Sequence, residues 1–181
     1  MHQEDSILLA NFKNPKTKNQ AFESLLKKYQ QRIYWHVRRM VVDHDDTNDL
    51  VQDIFIKVWK NLDNFREDAK LYTWLYRIAS NECITFLNRK KLKATVSFDD
   101  VSHELADKMV DSEYLDGNKI QMALQKAILT LPDKQRLVFN MKYFEEMKYE
   151  EISQIVGTSV GALKASYHFA VKKIENLLKE D

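Results

Sequence analysis

The chain contains few of the residues that make tight turns and covalent cross-links: three glycines, two prolines and one cysteine among 181 residues. Because glycine and proline interrupt helices and build turns, their scarcity favours long helices with few sharp reversals. The one cysteine, Cys83, has no second thiol with which to form a disulfide or a thiolate-rich metal site. It lies on an apolar stripe at helical spacing, so we expect a buried thiol that acts as a small hydrophobic side chain.

The sequence also lacks an apolar run of the roughly 20 residues that a membrane-spanning helix needs. Its first residues, MHQEDSILLANFKNPK, lack the basic start and long apolar centre of a signal peptide. We therefore expect a cytoplasmic protein with no direct membrane insertion. The formal net charge of +1 indicates no partner by itself, and the distribution of charge along the chain is more informative.

Two amphipathic segments joined by a short polar loop, REDAK, occupy residues 46–91. In the first, apolar residues recur at the three-and-four spacing of one helix face. That spacing leaves a second face, polar except for Ile56, made of Asp49, Gln52, Asp53, Ile56, Lys57 and Lys60. The second segment has a similar apolar stripe and a polar face that includes Arg77 and Asn81. Two helices with one buried and one chemically distinctive face each indicate a docking module.

An acidic run, Asp43 to Asp46, precedes the first segment and raises the alternative of a metal site. The run lacks the central glycine and closing glutamate of a calcium loop, whereas acidic residues are typical of a helix N-terminus, where they cap free N–H groups. A helical metal-dependent enzyme would also need further carboxylates or histidines at Glu-x-x-His spacing, which the sequence does not have. We therefore expect helix capping, with no metal and no cofactor.

Residues 95–117 differ in composition from the rest of the chain. Between residues 99 and 116 there are seven acidic side chains and one basic one, Lys108, with no sustained apolar period. This composition is typical of a flexible acidic linker. The sequence thus predicts an all-α fold of two small helical domains, residues 1–94 and 118–181, joined by that linker.

The C-terminal domain has the pattern of a helix-turn-helix: a short helix, a turn at Gly157, and a longer helix that begins with small polar residues. A recognition helix inserts its N-terminal end into the major groove, where bulky side chains are unfavourable. Residues expected on the groove-facing side are Ser159, Gly161, Ala162, Lys164, Ala165 and His168, with Lys172 near the phosphates. The alternative is an ordinary helical hairpin with a glycine turn.

Two parts of the chain resemble domains of bacterial RNA polymerase sigma factors. The part similar to their N-terminal core-binding and promoter-melting domain is DLVQDIFIKVWKNLDNF, followed by YTWLYRIASNECITFLNRKK. The part similar to their C-terminal helix-turn-helix domain is LPDKQRLVFNMKYFEEM, followed by KYEEISQIVGTSVGALKASYHFAVKKI. The two matches occur in the family's order with only a linker between them, as in the small extracytoplasmic-function (ECF) group.

The resemblance implies that the first amphipathic segment binds the clamp helices of core RNA polymerase. The implied contacts are Asp49, Gln52 and Asp53, with Lys57 and Lys60 further along the helix, which coincides with the polar face inferred from periodicity. The loop and second segment would bind melted minus-ten DNA through Asn64, Phe65, Arg66, Lys70, Tyr72, Arg77 and Asn81. Phe65, Tyr72 and Tyr76 are candidates for stacking on bases, whereas Trp74 lies on the apolar stripe and is more typical of a core.

The resemblance implies that the C-terminal domain reads the minus-thirty-five element in duplex form. The implied contacts are Lys134 and Arg136 to phosphate, and Ser159, Gly161, Ala162, Lys164, Ala165, His168 and Lys172 from the recognition helix. Ser166, Phe169 and Val171 stand where the family often has arginines, so we expect fewer phosphate contacts from this helix. The promoter sequence recognised by other members of the family is therefore not expected to apply to this protein.

As a sigma factor, the protein would be no enzyme. It would give core RNA polymerase its promoter specificity, with promoter DNA and an anti-sigma factor as further partners. The rival hypothesis is a helix-turn-helix regulator whose N-terminal half senses a signal. That rival predicts DNA binding without polymerase and no docking surface at Asp49, Gln52 and Asp53.

Overall fold

The computed structural model describes residues 2–93 and 119–180. Within these ranges the regular elements are helical: α1 His2–Lys13, α2 Lys18–Val41, α3 His44–Asn61, a 3₁₀ turn Leu62–Asn64, α4 Leu71–Lys93, α5 Lys119–Leu129, α6 Asp133–Tyr143, α7 Tyr149–Val156 and α8 Val160–Glu180. The predicted all-α fold with two domains is confirmed. The predicted acidic linker, residues 95–117, lies outside the described residues, and its boundaries remain a prediction.

The N-terminal domain is built from α1 to α4 around one apolar core. Its most deeply buried side chains are Phe12, Leu25, Ile33, Val37, Met40, Ile54, Val58, Leu62, Leu75, Ala79 and Cys83. The three-and-four spacing of these residues places them on the inner faces of α2, α3 and α4. Burial raises the pKa of the Cys83 thiol to about 12, which confirms the prediction of a hydrophobic rather than a reactive cysteine.

The acidic run before α3 is a helix cap. The Asp43 carboxylate accepts hydrogen bonds from the backbone N–H groups of Asp45 and Asp46, at 3.0 Å each. These bonds satisfy two donors that have no partner within the helix. Among the residues described, no group of three His, Cys, Asp or Glu side chains is placed to hold a metal ion.

The C-terminal domain consists of α5 to α8. Gly157 ends α7 in the left-handed conformation, with φ of 70°, which a residue with a side chain adopts only at a cost. Ser159 Oγ then accepts from Ala162 N at 3.3 Å and caps the first turn of α8. The predicted helix-turn-helix is therefore formed by α7, this turn and α8.

The two domains pack against each other. Seven buried apolar residues of the C-terminal domain belong to the same core as the N-terminal helices: Leu137, Val138, Met141, Met147, Ile152, Ile155 and Leu163. A second, smaller core around Phe139 and Ala170 holds α5, α6 and α8 together. No helix in the described ranges is both long enough and apolar enough to span a membrane.

Candidate docking and nucleic-acid interfaces

The outer face of α3 is polar and exposed along the length of the helix. Its inner face, with Leu50, Ile54 and Val58, is buried in the core, so the orientation of the helix is fixed by burial. The exposed side chains are Asp49, Gln52, Asp53, Ile56, Lys57 and Lys60. Lys57 forms a salt bridge with Glu82 of α4, which ties this face to the next helix. The residues predicted to lie off the apolar stripe are therefore exposed, and Ile56 is the apolar side chain among them.

The loop between the 3₁₀ turn and α4 contributes exposed polar and basic side chains. Asn64, Arg66 and Lys70 are exposed. Phe65 differs: it is only 8% exposed and its ring packs on Trp74 with centroids 5.1 Å apart. In this conformation Phe65 supports the loop from inside and cannot stack on a base, contrary to its predicted role.

Two tyrosines in the first turns of α4 are also partly or fully buried. Tyr72 is half-buried and packs on Tyr76, with ring centroids 4.6 Å apart. Tyr76 is fully buried, and its hydroxyl donates to Glu145 Oε2 of the C-terminal domain at 2.8 Å. Tyr76 therefore cannot stack on DNA in this arrangement, and Tyr72 offers only part of its ring.

Arg77 and Asn81 are exposed residues of α4 that face the C-terminal domain. Arg77 donates from Nη2 and Nε to the Gln154 carbonyl oxygen of α7, at 2.6 and 3.2 Å. Asn81 lines a cavity of about 800 Å³ between the domains. Lys134 and Ala162, from the proposed minus-thirty-five surface, line the same cavity. The two proposed DNA-facing surfaces thus meet across this cavity.

The recognition helix α8 presents its predicted groove-facing residues to solvent. Leu163, Ala170 and Ile174 are buried and anchor the helix. The side chains exposed on the other faces are those of Ser159, Ala162, Lys164, Ala165, His168 and Lys172, and the backbone is exposed at Gly161. Lys134 is exposed in the first turn of α6. These residues are exposed, as a DNA-reading role requires, and that role stays a prediction.

Comparison with known proteins decides the family. The family model of sigma-70 region 2 matches residues 25–93, and that of sigma-70 region 4 matches residues 121–174. The chain is 30% identical over 168 residues to the ECF RNA polymerase sigma factor SigW of Bacillus subtilis, covering 88% of this chain and 90% of the relative. The chain belongs to the ECF sigma factors. It binds core RNA polymerase and directs promoter-specific transcription initiation.

Further relatives and solved structures agree with this assignment. RNA polymerase sigma-H factor of Pseudomonas aeruginosa is 30% identical over 167 residues, covering 88% of this sigma factor and 86% of the relative. CnrH, solved with the cytosolic domain of CnrY, superposes with a TM-score of 0.70 at 24% identity, over 98% of this chain and 99% of that one. RpoE of Bartonella quintana, solved with the anti-sigma factor NepR, superposes with a TM-score of 0.66 at 22% identity, over 88% of this chain and 98% of that one. The two structures establish a common fold.

Arg136 of the sigma factor is not placed for DNA, contrary to the sequence prediction. The residue is 2% exposed, and Nη2 donates to the Met40 carbonyl oxygen at 3.1 Å and to Asp133 Oδ1 at 3.4 Å. Burial lowers the pKa of the guanidinium. Arg136 joins the two domains, and while they are packed together it cannot contact phosphate.

A buried polar cluster between the domains was not anticipated from the sequence. Glu145 accepts hydrogen bonds from Arg39 Nη1 at 3.0 Å and from the Tyr76 hydroxyl, and lies 4.0 Å from His36 Nδ1. Burial raises the pKa of Glu145. Burial and the neighbouring Arg39 lower the pKa of His36 to about 3, so this imidazole is neutral and bonds through Nε2 to Ser80 Oγ at 3.0 Å. No local pattern could reveal the cluster, because Glu145 lies 69 positions from Tyr76.

Proposed function

We propose that the outer face of α3 is the surface through which this sigma factor binds core RNA polymerase. The observation that supports it is the agreement between the family's docking motif at Asp49, Gln52 and Asp53 and an exposed polar face on a helix fixed by its buried side. Lys57 and Lys60 extend that face. A rigid helix carrying exposed charges of both signs suits a polar protein interface that excludes wrong partners by charge.

The loop and α4 form the proposed minus-ten reader. Asn64, Arg66 and Lys70 offer exposed donors to a displaced strand, and Arg77 and Asn81 continue the surface along α4. Extruding a base from the duplex costs a few kcal/mol of free energy, and these contacts must offset that cost. The half-buried Tyr72 contributes a ring edge, while Phe65 holds the loop from behind.

The exposed side of α8 is the proposed minus-thirty-five reader. Small residues, Gly161, Ala162 and Ala165, allow close approach to the floor of the major groove. Lys164, His168 and Lys172 supply hydrogen-bond donors at the edge of the major groove, and Lys134 of α6 contacts phosphate. Two weak DNA contacts held on one polymerase raise the effective concentration of each at a promoter of suitable spacing.

The protein works in the cytoplasm, where RNA polymerase acts, and catalyses no bond chemistry itself. The bond chemistry of RNA synthesis takes place in the polymerase. An anti-sigma factor is a further proposed partner, because a sigma factor of the same fold, from Bartonella quintana, was solved bound to one. Its identity is best sought among neighbouring genes.

Reconstitution with purified core RNA polymerase tests the function. The sigma factor is expected to co-elute with core enzyme and to direct run-off transcription from a promoter of its own genome, while the protein alone binds the same DNA weakly. Sequence-specific DNA binding by the free protein, with no association with core enzyme, would favour the helix-turn-helix regulator instead.

Lys164→Glu is expected to reduce transcription from promoters that depend on the upstream element by about fivefold or more, because a lost basic contact costs at least about 1 kcal/mol and a carboxylate repels phosphate. Lys179→Glu is the matched control. It makes the same charge change on an exposed residue of the same helix, about 22 Å further along at 1.5 Å per residue. Equal output from both variants would show that α8 does not read the upstream element through Lys164.

A further inference from the structure

We infer that Phe169 of α8 reads thymine in the upstream promoter element, by packing its ring against the 5-methyl group that thymine presents in the major groove. This inference rests on the proposed function, because it takes the exposed side of α8 as the minus-thirty-five reader. It deepens that function by naming one base and the side chain that selects it. Phe169 is thereby assigned a specificity-determining role with apolar chemistry.

Phe169 is a large apolar side chain that the fold leaves in solvent. The residue is 62% exposed, and it belongs to neither apolar core of the described residues. Its ring lies beside that of His168, a proposed groove-facing residue, with centroids 5.9 Å apart. Single exposed apolar side chains are common on protein surfaces, so it is the position of Phe169 on the helix that sets it apart.

Phe169 continues the row of small residues that faces the groove. It follows Ala165 by four positions and Ala162 by seven, and residues at these spacings share one helix face. Buried Leu163 and Ala170 anchor the opposite side of the helix. Because a helical side chain leans toward the N-terminus of its own helix, the ring covers the turn that carries Ala165. Phe169 therefore borders the residues that let α8 approach the base edges.

The ring is within reach of the major groove. Phe169 lies nine residues after Val160, the first residue of α8, which is about 14 Å along the helix axis at 1.5 Å per residue. The major groove is about 12 Å wide, and the lean of the side chain brings the ring back toward the N-terminal end. The thymine methyl group projects toward the wall of the groove, near the backbone of its own strand. A ring at this position on the helix arrives at that wall.

The charges of α8 favour DNA, rather than an apolar protein surface, as the partner of this ring. From Val160 to Ile174 the helix carries Lys164, Lys172 and Lys173 and no acidic side chain. Such a basic face attracts the phosphates of DNA. Among the groups that base pairs present in the major groove, the thymine methyl is the apolar one, and phenylalanine is suited to contact it. An apolar ring among cations therefore selects thymine.

Selection of promoter sequences tests the base preference. Holoenzyme made from the full chain and core polymerase is used to bind a promoter of its own genome in which the upstream element has been randomised. The wild type is expected to enrich thymine at one position or more, and Phe169→Ala is expected to lose that enrichment at the contacted position alone. Phe169→Arg is expected to enrich guanine there instead, because a guanidinium binds guanine O6 and N7. A Phe169→Ala holoenzyme with the thymine preference of the wild type would overturn the inference.

Removing single methyl groups from the DNA tests the contact itself. Each thymine of the selected element is replaced in turn by deoxyuridine, which pairs as thymine does and lacks the methyl group. Wild-type holoenzyme is expected to bind about threefold or more weakly when the contacted thymine is replaced, because burial of one methyl group contributes a factor of about that size. Phe169→Ala is expected to bind the unmodified promoter more weakly by a similar factor and to lose nothing further at that thymine.

Leu178→Ala is the matched control. Leu178 is another exposed apolar residue of α8, at 37% exposure, and lies about 14 Å beyond Phe169 along the helix. This variant is expected to keep the promoter affinity of the wild type and its full response to deoxyuridine, with circular dichroism showing unchanged helical content in every variant. If Phe169→Ala weakens the binding of the sigma factor to core enzyme in the absence of DNA, the ring docks on polymerase and the inference is overturned.

Run-off transcription separates this inference from the function on which it rests. If the wild type directs no transcription with core enzyme, the proposed function fails and the inference fails with it. If the wild type transcribes normally but binds every deoxyuridine-substituted promoter as tightly as the unmodified one, the inference alone is wrong. The same conclusion follows if Phe169→Ala keeps the wild-type loss at the same thymine.

Discussion

Asp53→Lys is expected to weaken the binding of this sigma factor to core RNA polymerase at least about 30-fold. Losing one partner of a charge pair at an interface costs about 2 kcal/mol or more, and the new cation adds repulsion where polymerase presents a complementary charge. Asp53 is exposed on the outer face of α3, so the substitution leaves the core unchanged. Binding is measured by titrating labelled sigma factor with core enzyme, alongside circular dichroism to show that helical content is kept.

Glu23→Lys is the matched control for this variant. It makes the same charge change on an exposed residue of α2, in the same domain, and is expected to bind polymerase as the wild type does. If Asp53→Lys binds core enzyme with unchanged affinity, the outer face of α3 is not the docking surface. If both variants lose binding equally, net charge rather than a defined site controls the affinity.

Ile54→Ala is expected to lower the free energy of unfolding by about 2–5 kcal/mol. The side chain is fully buried at 0% exposure, and its loss removes apolar burial and leaves a cavity that the surrounding helices fill only in part. Because α3 carries the docking face on its other side, loosening this helix also weakens the binding of polymerase. Urea denaturation followed by circular dichroism gives the free energy.

Ile56→Ala provides the comparison on the same helix. Ile56 is two residues away but 51% exposed, and its truncation is expected to change the free energy of unfolding by no more than about 0.5 kcal/mol. A loss of stability as large as that of Ile54→Ala would mean that α3 is buried on a different face. A loss of polymerase binding by Ile56→Ala at unchanged stability would add this side chain to the docking surface.

Much of the fold followed from local rules. The three-and-four spacing predicted which side of α3 is buried, and in α4 it predicted the burial of Leu75, Ala79 and Cys83 but not that of Tyr76. Asp43 was correctly predicted to be a cap because its carboxylate satisfies nearby N–H groups. Gly157 and Ser159 marked the turn before α8 for equally local reasons. The exposed positions of the docking face and the recognition helix followed from the same periodicity.

The predictions that failed concern side chains whose surroundings are set by distant parts of the chain. Arg136 has the sequence context of an exposed basic residue, yet it binds the Met40 carbonyl oxygen 96 positions away. Phe65 stands in a polar loop, and it is buried because Trp74 covers it. The sequence around Glu145 likewise contains no local pattern that predicts its burial. Long-range packing overrides the local pattern at these residues, and no periodicity within one segment reports it.

The burial of Cys83 has a consequence for signalling. Burial raises the pKa of this thiol and keeps it protonated at neutral pH, whereas oxidants attack the thiolate form. As the sequence contains one cysteine, the sigma factor has no reactive thiol with which to register peroxide or disulfide stress. If its genes respond to oxidants through a thiol, that thiol belongs to another protein that controls it.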